Sequence, residues 1–138
     1  MERKDGSVLM LVRTRLLHIY RCESFDGGDT WTVPVPTSLL APGSPSNCKR
    51  IPGTGDLLLI WNHSLDGQRN PLNSAISKDD GETWGNVRDL ENDAQHSFAY
   101  PSMTFVGDEV LLTYYRSKYA TTGWELKLKI LPVSWFYE

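Results

Sequence analysis

One eight-residue pattern occurs twice in the chain. Ser24-Phe25-Asp26-Gly27-Gly28-Asp29-Thr30-Trp31 and Ser77-Lys78-Asp79-Asp80-Gly81-Glu82-Thr83-Trp84 both read S-x-D-x-G-x-T-W, 53 residues apart (24 to 77). Five fixed letters in that order arise by chance at about 10⁻⁷ per start position, so the pair marks an internal repeat. The residue types suit a β-hairpin turn. The carboxylates of Asp26 and Asp79 can accept bonds from backbone N–H groups two residues on. Gly28 and Gly81 take the positive φ that other residues resist. The Thr30 and Thr83 hydroxyls can tie the loop down, and Trp31 and Trp84 cover it with a large apolar face.

A second repeat runs in step with the first. Three segments each open on a Gly turn and continue through a short apolar run: Asp5-Gly6 before Val8–Val12, Gly55-Asp56 before Leu57–Trp61, and Gly107-Asp108 before Val110-Leu111-Leu112. Their glycines stand 49 and 52 residues apart (6, 55, 107), a period typical of propellers and other repeat folds. Runs this short and this closely bounded by Gly read as strands, and their continuous apolar character reads as burial on both faces. Five Trp and six Tyr tilt the chain further towards all-β.

The two eight-residue segments resemble Asp boxes, the bacterial-neuraminidase repeat of sialidases and related β-propellers. The flanking phrases are similar to the same family: Val12-Arg13-Thr14, Arg69-Asn70-Pro71-Leu72 leading into Ala75-Ile76-Ser77, and Tyr100-Pro101-Ser102 followed by Leu112-Thr113-Tyr114. The resemblance implies an all-β partial propeller, about three blades of six, as the C-terminal half of the ring. The expected blades are residues 1–36, 46–91 and 97–138. A start at Met1 then reads as a truncated or split reading frame, or an expressed half. The expected strands are 7–14, 18–23, an outer strand beginning at 31–35, then 47–51, 56–62, 73–78, 86–90, 99–105, 109–116 and 125–130. The Pro- and Ser-rich stretch 34–46 reads as a linker. In Leu126-Lys127-Leu128-Lys129-Ile130, strict alternation reads as a half-exposed strand whose lysines discourage edge pairing.

The same resemblance implies a retaining glycoside hydrolase that acts on terminal sugars. Such a reaction clamps a sugar carboxylate with bidentate arginines, attacks with a Tyr and needs a Glu to take the phenolic proton. It implies Tyr100 as nucleophile, Glu2 as its base, and Arg13, Arg69 and Arg116 as the carboxylate clamp. The competing readings are a core or rim tyrosine, a frayed terminal carboxylate and structural arginines. Ser24, Asp26, Gly28, Thr30, Trp31, Ser77, Asp79, Gly81, Thr83 and Trp84 are expected to be structural. The family's acid Asp and first Arg belong to blades outside this sequence, so the chain alone is expected to be inactive. A non-catalytic carbohydrate-binding or assembly propeller is the alternative. Trp61, Tyr114, Tyr115 and Trp124 can stack on a sugar or pack between blades.

Other classes find no footing in the sequence. A net charge of −3 and a pI near 5.6 argue against nucleic-acid binding by bulk charge. No apolar run approaches the ~18–20 residues of a membrane helix. Met1-Glu2-Arg3-Lys4-Asp5 has no apolar segment behind it, so a cytoplasmic location is the default reading. No metal or organic cofactor is expected: Cys22 and Cys48 form no ligand pair, and His18, His63 and His96 are scattered. The partners expected are a carbohydrate and a second copy of the chain. Two half-rings meeting end to end would close a six-bladed ring, with the partner's tail, Val133–Tyr137, filling the vacant edge of the first blade.

Overall fold

The structure is a computed structural model and describes residues 1–119 and 122–138. Among the described residues, ten strands form three antiparallel sheets, and a 3₁₀ turn follows the last of them. The first sheet has the order β1-β2-β3, with β1 at Val8–Val12, β2 at His18–Ser24 and β3 at Val35–Leu40. The middle sheet holds β4 (Asn47–Arg50), β5 (Leu57–Trp61), β6 (Leu72–Ser77) and β7 (Gly85–Glu91) in sequence order. The third has the order β10-β9-β8, with β8 at His96–Val106, β9 at Glu109–Lys118 and β10 at Glu125–Pro132. Three consecutive up-and-down sheets stacked face to face are an arc of a β-propeller.

Burial follows position in the stack. All five residues of β5 are buried, because both faces of the middle sheet are covered. Leu58 and Ile60 pack with Phe98, Met103, Val110 and Leu112 of the third sheet. Leu59 and Trp61 pack with Ile19, Leu39 and Ala41 of the first. The indole of Trp61 also donates to Leu40 O at 2.9 Å. The other two apolar runs differ from expectation. In Val8–Val12 only Leu9 is buried, and in Val110–Leu112 the half-buried Leu111 stands between buried Val110 and Leu112, since each belongs to an outer sheet with one neighbour only.

β10 shows where that leaves the apolar residues. Its pairing with β9 places Lys127 opposite Tyr114 and Lys129 opposite Leu112, on the face turned to the middle sheet. Lys129 Nζ reaches Leu90 O at 2.5 Å and the Glu91 carboxylate at 3.2 Å. Leu126, Leu128 and Ile130 therefore point away from the stack and are 69%, 58% and 51% exposed.

Two expectations are corrected. The stretch 34–46 is not all linker: β3 occupies its first half. Pro36 sits in that strand because β3 is an edge, where a missing N–H breaks no ladder, and Thr37 Oγ1 donates to Ile19 O at 2.7 Å beside it. The tail is not available to a partner either. Val133–Tyr137 forms the 3₁₀ turn and folds onto its own middle sheet. Phe136 is fully buried in the core, the Tyr137 hydroxyl donates to Asp56 at 2.9 Å, and the Arg88 guanidinium lies 3.9 Å over the Trp135 ring.

The two Asp boxes join β2 to β3 and β6 to β7 with the same bonds. Ser24 Oγ donates to Asp26 at 2.7 Å and accepts from Gly28 N at 2.8 Å. Ser77 donates to Asp79 and accepts from Gly81 N, both at 2.8 Å. Asp26 accepts from Thr30 N at 2.9 Å and its hydroxyl at 2.5 Å, and Asp79 does the same with Thr83. Gly81 has φ +93°, and a Cβ on it would lie 2.5 Å from a methyl of Leu9 in the first sheet. Gly28 has φ +106° but no adjacent sheet, only its own Trp31. Trp31 is accordingly 37% exposed, whereas Trp84 packs against the first-sheet core.

Two expectations follow for stability. Trp61→Ala removes a fully buried indole and its bond to Leu40 O, and costs about 3–5 kcal/mol in urea unfolding; Trp31→Ala costs clearly less. The Asp-box carboxylates set the acid limb. The Thr30 hydroxyl, then the Thr30 N–H and Ser24, hold Asp26 well below the usual carboxylate range. Burial pushes Asp79 up, but bonds from Thr83 and Ser77 outweigh it and hold it low. A depressed folded-state pKa gives stabilisation that is complete above about pH 4 and is lost as pH falls through the folded value. The thermal midpoint should fall below pH 4, and an Asp26→Asn, Asp79→Asn double variant should show a shallower fall in calorimetry.

Candidate functional site

The three sheets point the same way. Asn62, just after β5, donates to Phe98 O near the start of β8, and Trp61 bonds the end of β3. The turn after β1, the loop 62–71 after β5 and the end of β9 thus share one end of the stack. The Asp boxes occupy the opposite end. Arg13, Arg69, Arg116 and Tyr100 all lie at the shared end.

Tyr100 is held in an unusual backbone. The β8–β9 register breaks between Ala99 and Ser102, and Tyr100 has φ +55°. A side chain at positive φ carries strain, and here the break turns the ring out of the ladder to 51% exposure. The Arg69 guanidinium stands 5.4 Å from the ring centroid, within cation–π range. Arg69 O accepts from Phe98 N at 2.7 Å, so the loop and the strand are also joined through their backbones. Beyond Tyr100, the ring of Tyr115 lies 6.0 Å away and that of Trp124 a further 6.2 Å, both edge-on. These three rings line an open cleft of about 340 Å³. A second depression, about 380 Å³, lies on loop 62–71 between Asp66, Gln68, Asn70, Ala94 and Tyr119.

The arginines are not equivalent. Arg116 is held by Glu125, at 3.1 Å from Nε and 2.9 Å from a terminal nitrogen. Among the described residues, Arg13 and Arg69 have no carboxylate partner. Glu2 is not brought to Tyr100. It pairs with Val8 at the start of β1, beside Arg50, whose guanidinium bonds Glu2 O at 2.9 Å. That is the Asp-box end of the first sheet. Among the described residues, no carboxylate hydrogen-bonds the Tyr100 hydroxyl.

The remaining candidates sort by burial. Trp61 and Tyr114 are core residues, whereas Tyr115 and Trp124 face the cleft. Burial, then the neighbouring Glu91, pushes the Tyr114 phenol up, and its hydroxyl donates to that carboxylate. The Cys48 thiol is pushed up to about 12 by burial, which leaves it unreactive. No group of three or more His, Cys, Asp or Glu among the described residues could hold a metal, and no helix among them is long and apolar enough to cross a membrane. Sequence reasoning passed over Asn62. Its signal is local: it is the polar residue that ends the apolar run of β5, and it is fully buried.

Comparison with known proteins bears on this geometry. The family described as BNR repeat-like domain matches residues 1–112. No curated protein sequence matches the chain. Among solved structures, a leech intramolecular trans-sialidase complexed with 2,7-anhydro-Neu5Ac superposes with a TM-score of 0.79 at 20% identity, over 96% of this chain and 23% of that one. The intramolecular trans-sialidase of Ruminococcus gnavus, complexed with oseltamivir carboxylate, gives 0.74 at 20% identity, covering 96% and 32%. An α-L-arabinofuranosidase of Fusarium graminearum, with an iminosugar inhibitor, gives 0.69 at 17%, covering 96% and 46%. The chain thus spans less than half the length of each of these three structures.

Stability should separate exposed site residues from buried ones. Tyr100→Phe should leave the unfolding free energy within about 0.5 kcal/mol, and Arg116→Ala should cost under about 1 kcal/mol. Tyr114→Phe, which strips Glu91 of a buried donor, should cost about 1–3 kcal/mol. Urea titration of the three variants gives the ranking.

Proposed function

Because this chain belongs to the BNR repeat-like domain family, we propose that it is part of a sialidase-like glycoside hydrolase. Its site for an anionic sugar lies at the end of the stack where Arg69 meets Tyr100. The observation that carries this reading is the Arg69–Tyr100 pair: a guanidinium with no carboxylate partner among the described residues, 5.4 Å from an exposed phenol ring. An unpaired arginine can clamp a sugar carboxylate by two parallel bonds, with Arg13 at the same end as a second cation. Arg116 is tied to Glu125 and joins only if that pair opens.

In the retaining reaction, the Tyr100 oxygen attacks the anomeric carbon and the bond to the leaving oxygen breaks. A proton goes to that oxygen, and water later releases the sugar from the tyrosine. The phenol is a weak nucleophile until it loses its proton, so the step needs a base. Glu2 does not serve, because it stands at the other end of its sheet. Base and acid must come from elsewhere, and the chain alone binds rather than cleaves. The second reading, a non-catalytic carbohydrate-binding propeller, draws on the same absence and on the aromatic cleft of Tyr100, Tyr115 and Trp124, a surface suited to sugar rings.

The partner proposed is a second copy. The outward faces of the first and third sheets are both uncovered, and the third presents Leu126, Leu128 and Ile130 together. Packing the third sheet of each copy on the first sheet of the other buries both faces through two identical interfaces, which a two-fold axis closes. No exchange of tails takes part, since each tail is spent in its own core.

Light scattering should give twice the 15.6 kDa chain mass at micromolar concentration; a cooperative monomer would refute the dimer. A chromogenic sialoside should release no product with the isolated chain, while sialic acid should perturb Arg69 and Tyr100 resonances. Binding that survives Arg69→Ala unchanged would remove this site from the reading.

A further inference from the structure

We propose that Asn62 is the positioning residue that sets Arg69 against Tyr100. The inference rests on reading that pair as the sugar site. On β5 the residues facing the third sheet are Leu58 and Ile60, and alternation gives Asn62 the next place in that row. It is fully buried. A buried amide among leucines is costly unless its hydrogens are used. Asn62 spends both. Its Nδ2 donates to Pro71 O at 2.9 Å and to Phe98 O at 3.2 Å.

Those two carbonyls are informative choices. Pro71 lies two residues after Arg69, and Phe98 lies two residues before Tyr100. One planar amide therefore fixes the distance between the segment that carries the cation and the segment that carries the phenol. The Phe98 N–H to Arg69 O bond closes the same junction from the other side. Regular pairing cannot do this work for Tyr100, because the β8–β9 ladder is broken on both sides of it, between Ala99 and Ser102. Nor can an ion pair do it for Arg69, which has no carboxylate partner among the described residues. The two bonds of Asn62 replace what ladder and charge leave undone.

The test reads geometry independently of turnover. Arg69 lies over the Tyr100 ring, so its side-chain protons should be shifted by the ring current in NMR spectra of the full chain. Arg88 lies 3.9 Å over Trp135 and is the internal control, away from Asn62. Asn62→Leu keeps the volume and removes the amide. Asn62→Asp keeps the shape and removes both donors. The expected result is loss of at least half of the Arg69 ring-current shift in both variants, with the Arg88 shift unchanged. A sialic acid titration should show the dissociation constant weakened at least tenfold in parallel.

If the Arg69 shift persists in a folded variant, or is absent from the unaltered chain, the proposal is overturned. If Arg69 and Arg88 shifts collapse together in both variants, Asn62 merely holds the fold and the proposal is likewise overturned. If the Arg69 shift responds as expected but sialic acid binds to neither the unaltered chain nor the variants, the positioning role stands and the sugar-site reading fails.

Discussion

β5 has no face left for water. Leu57 to Trp61 are buried to the last residue, with alternate side chains serving two separate cores. A strand in that situation needs a sheet on each side, at roughly 10 Å, and the rest of the chain supplies them. The burial of each large aliphatic side chain contributes on the order of 1.5–3 kcal/mol. That is why the outer sheets are recruited even though each has only half of its surface covered. The turn at Val133–Tyr137 answers the same demand by placing Phe136 in the core shared by the middle and third sheets.

The stack divides its charges between its two ends. At the Asp-box end three arginines are matched. Arg3 meets Glu23 and Glu82, Arg21 meets Glu82, and Arg50 meets Asp80, all between 2.7 and 3.1 Å. The two bonds to Glu82 join the first and middle sheets where the repeated turns already lock the backbone. At the other end, Arg13 and Arg69 have no carboxylate partner among the described residues. One end is thus satisfied from within and the other is left able to receive an anion, which is the division of labour expected when loops on a rigid scaffold do the binding.

The repeats were legible because turn chemistry is local. Ser, Asp, Gly, Thr and Trp at fixed offsets specify their own hydrogen bonds, so both Asp boxes could be placed before any neighbour was known. β5 was legible for the same reason, since its apolar run opens on the turn at Gly55. What failed depends on neighbours. Leu126-Lys127-Leu128-Lys129-Ile130 reveals its alternation but not which set faces inward, and the inward set is the lysines, drawn by Glu91 and Leu90 O. Pro36 read as a linker because edge position cannot be seen in sequence. Glu2 was read as a base from a family resemblance, and its pairing with Val8, which no sequence pattern shows, puts it at the Asp-box end of the first sheet. Asn62 left only the trace of a polar residue at the close of a buried run.

Gly81 carries a consequence for curvature. The space where its Cβ would stand is filled by Leu9 of the next sheet at 2.5 Å, so the side chain it lacks sets how closely the wedge between two sheets can shut. In a ring of sheets each wedge angle is added to the next. An error of a few degrees at one junction is not absorbed locally but accumulates around the circumference and appears as a gap or a clash at the seam. The equivalent Gly28 meets no such neighbour in this chain. The same letter at the same place in the motif thus serves the turn alone in one copy, and in the other also gauges the arc.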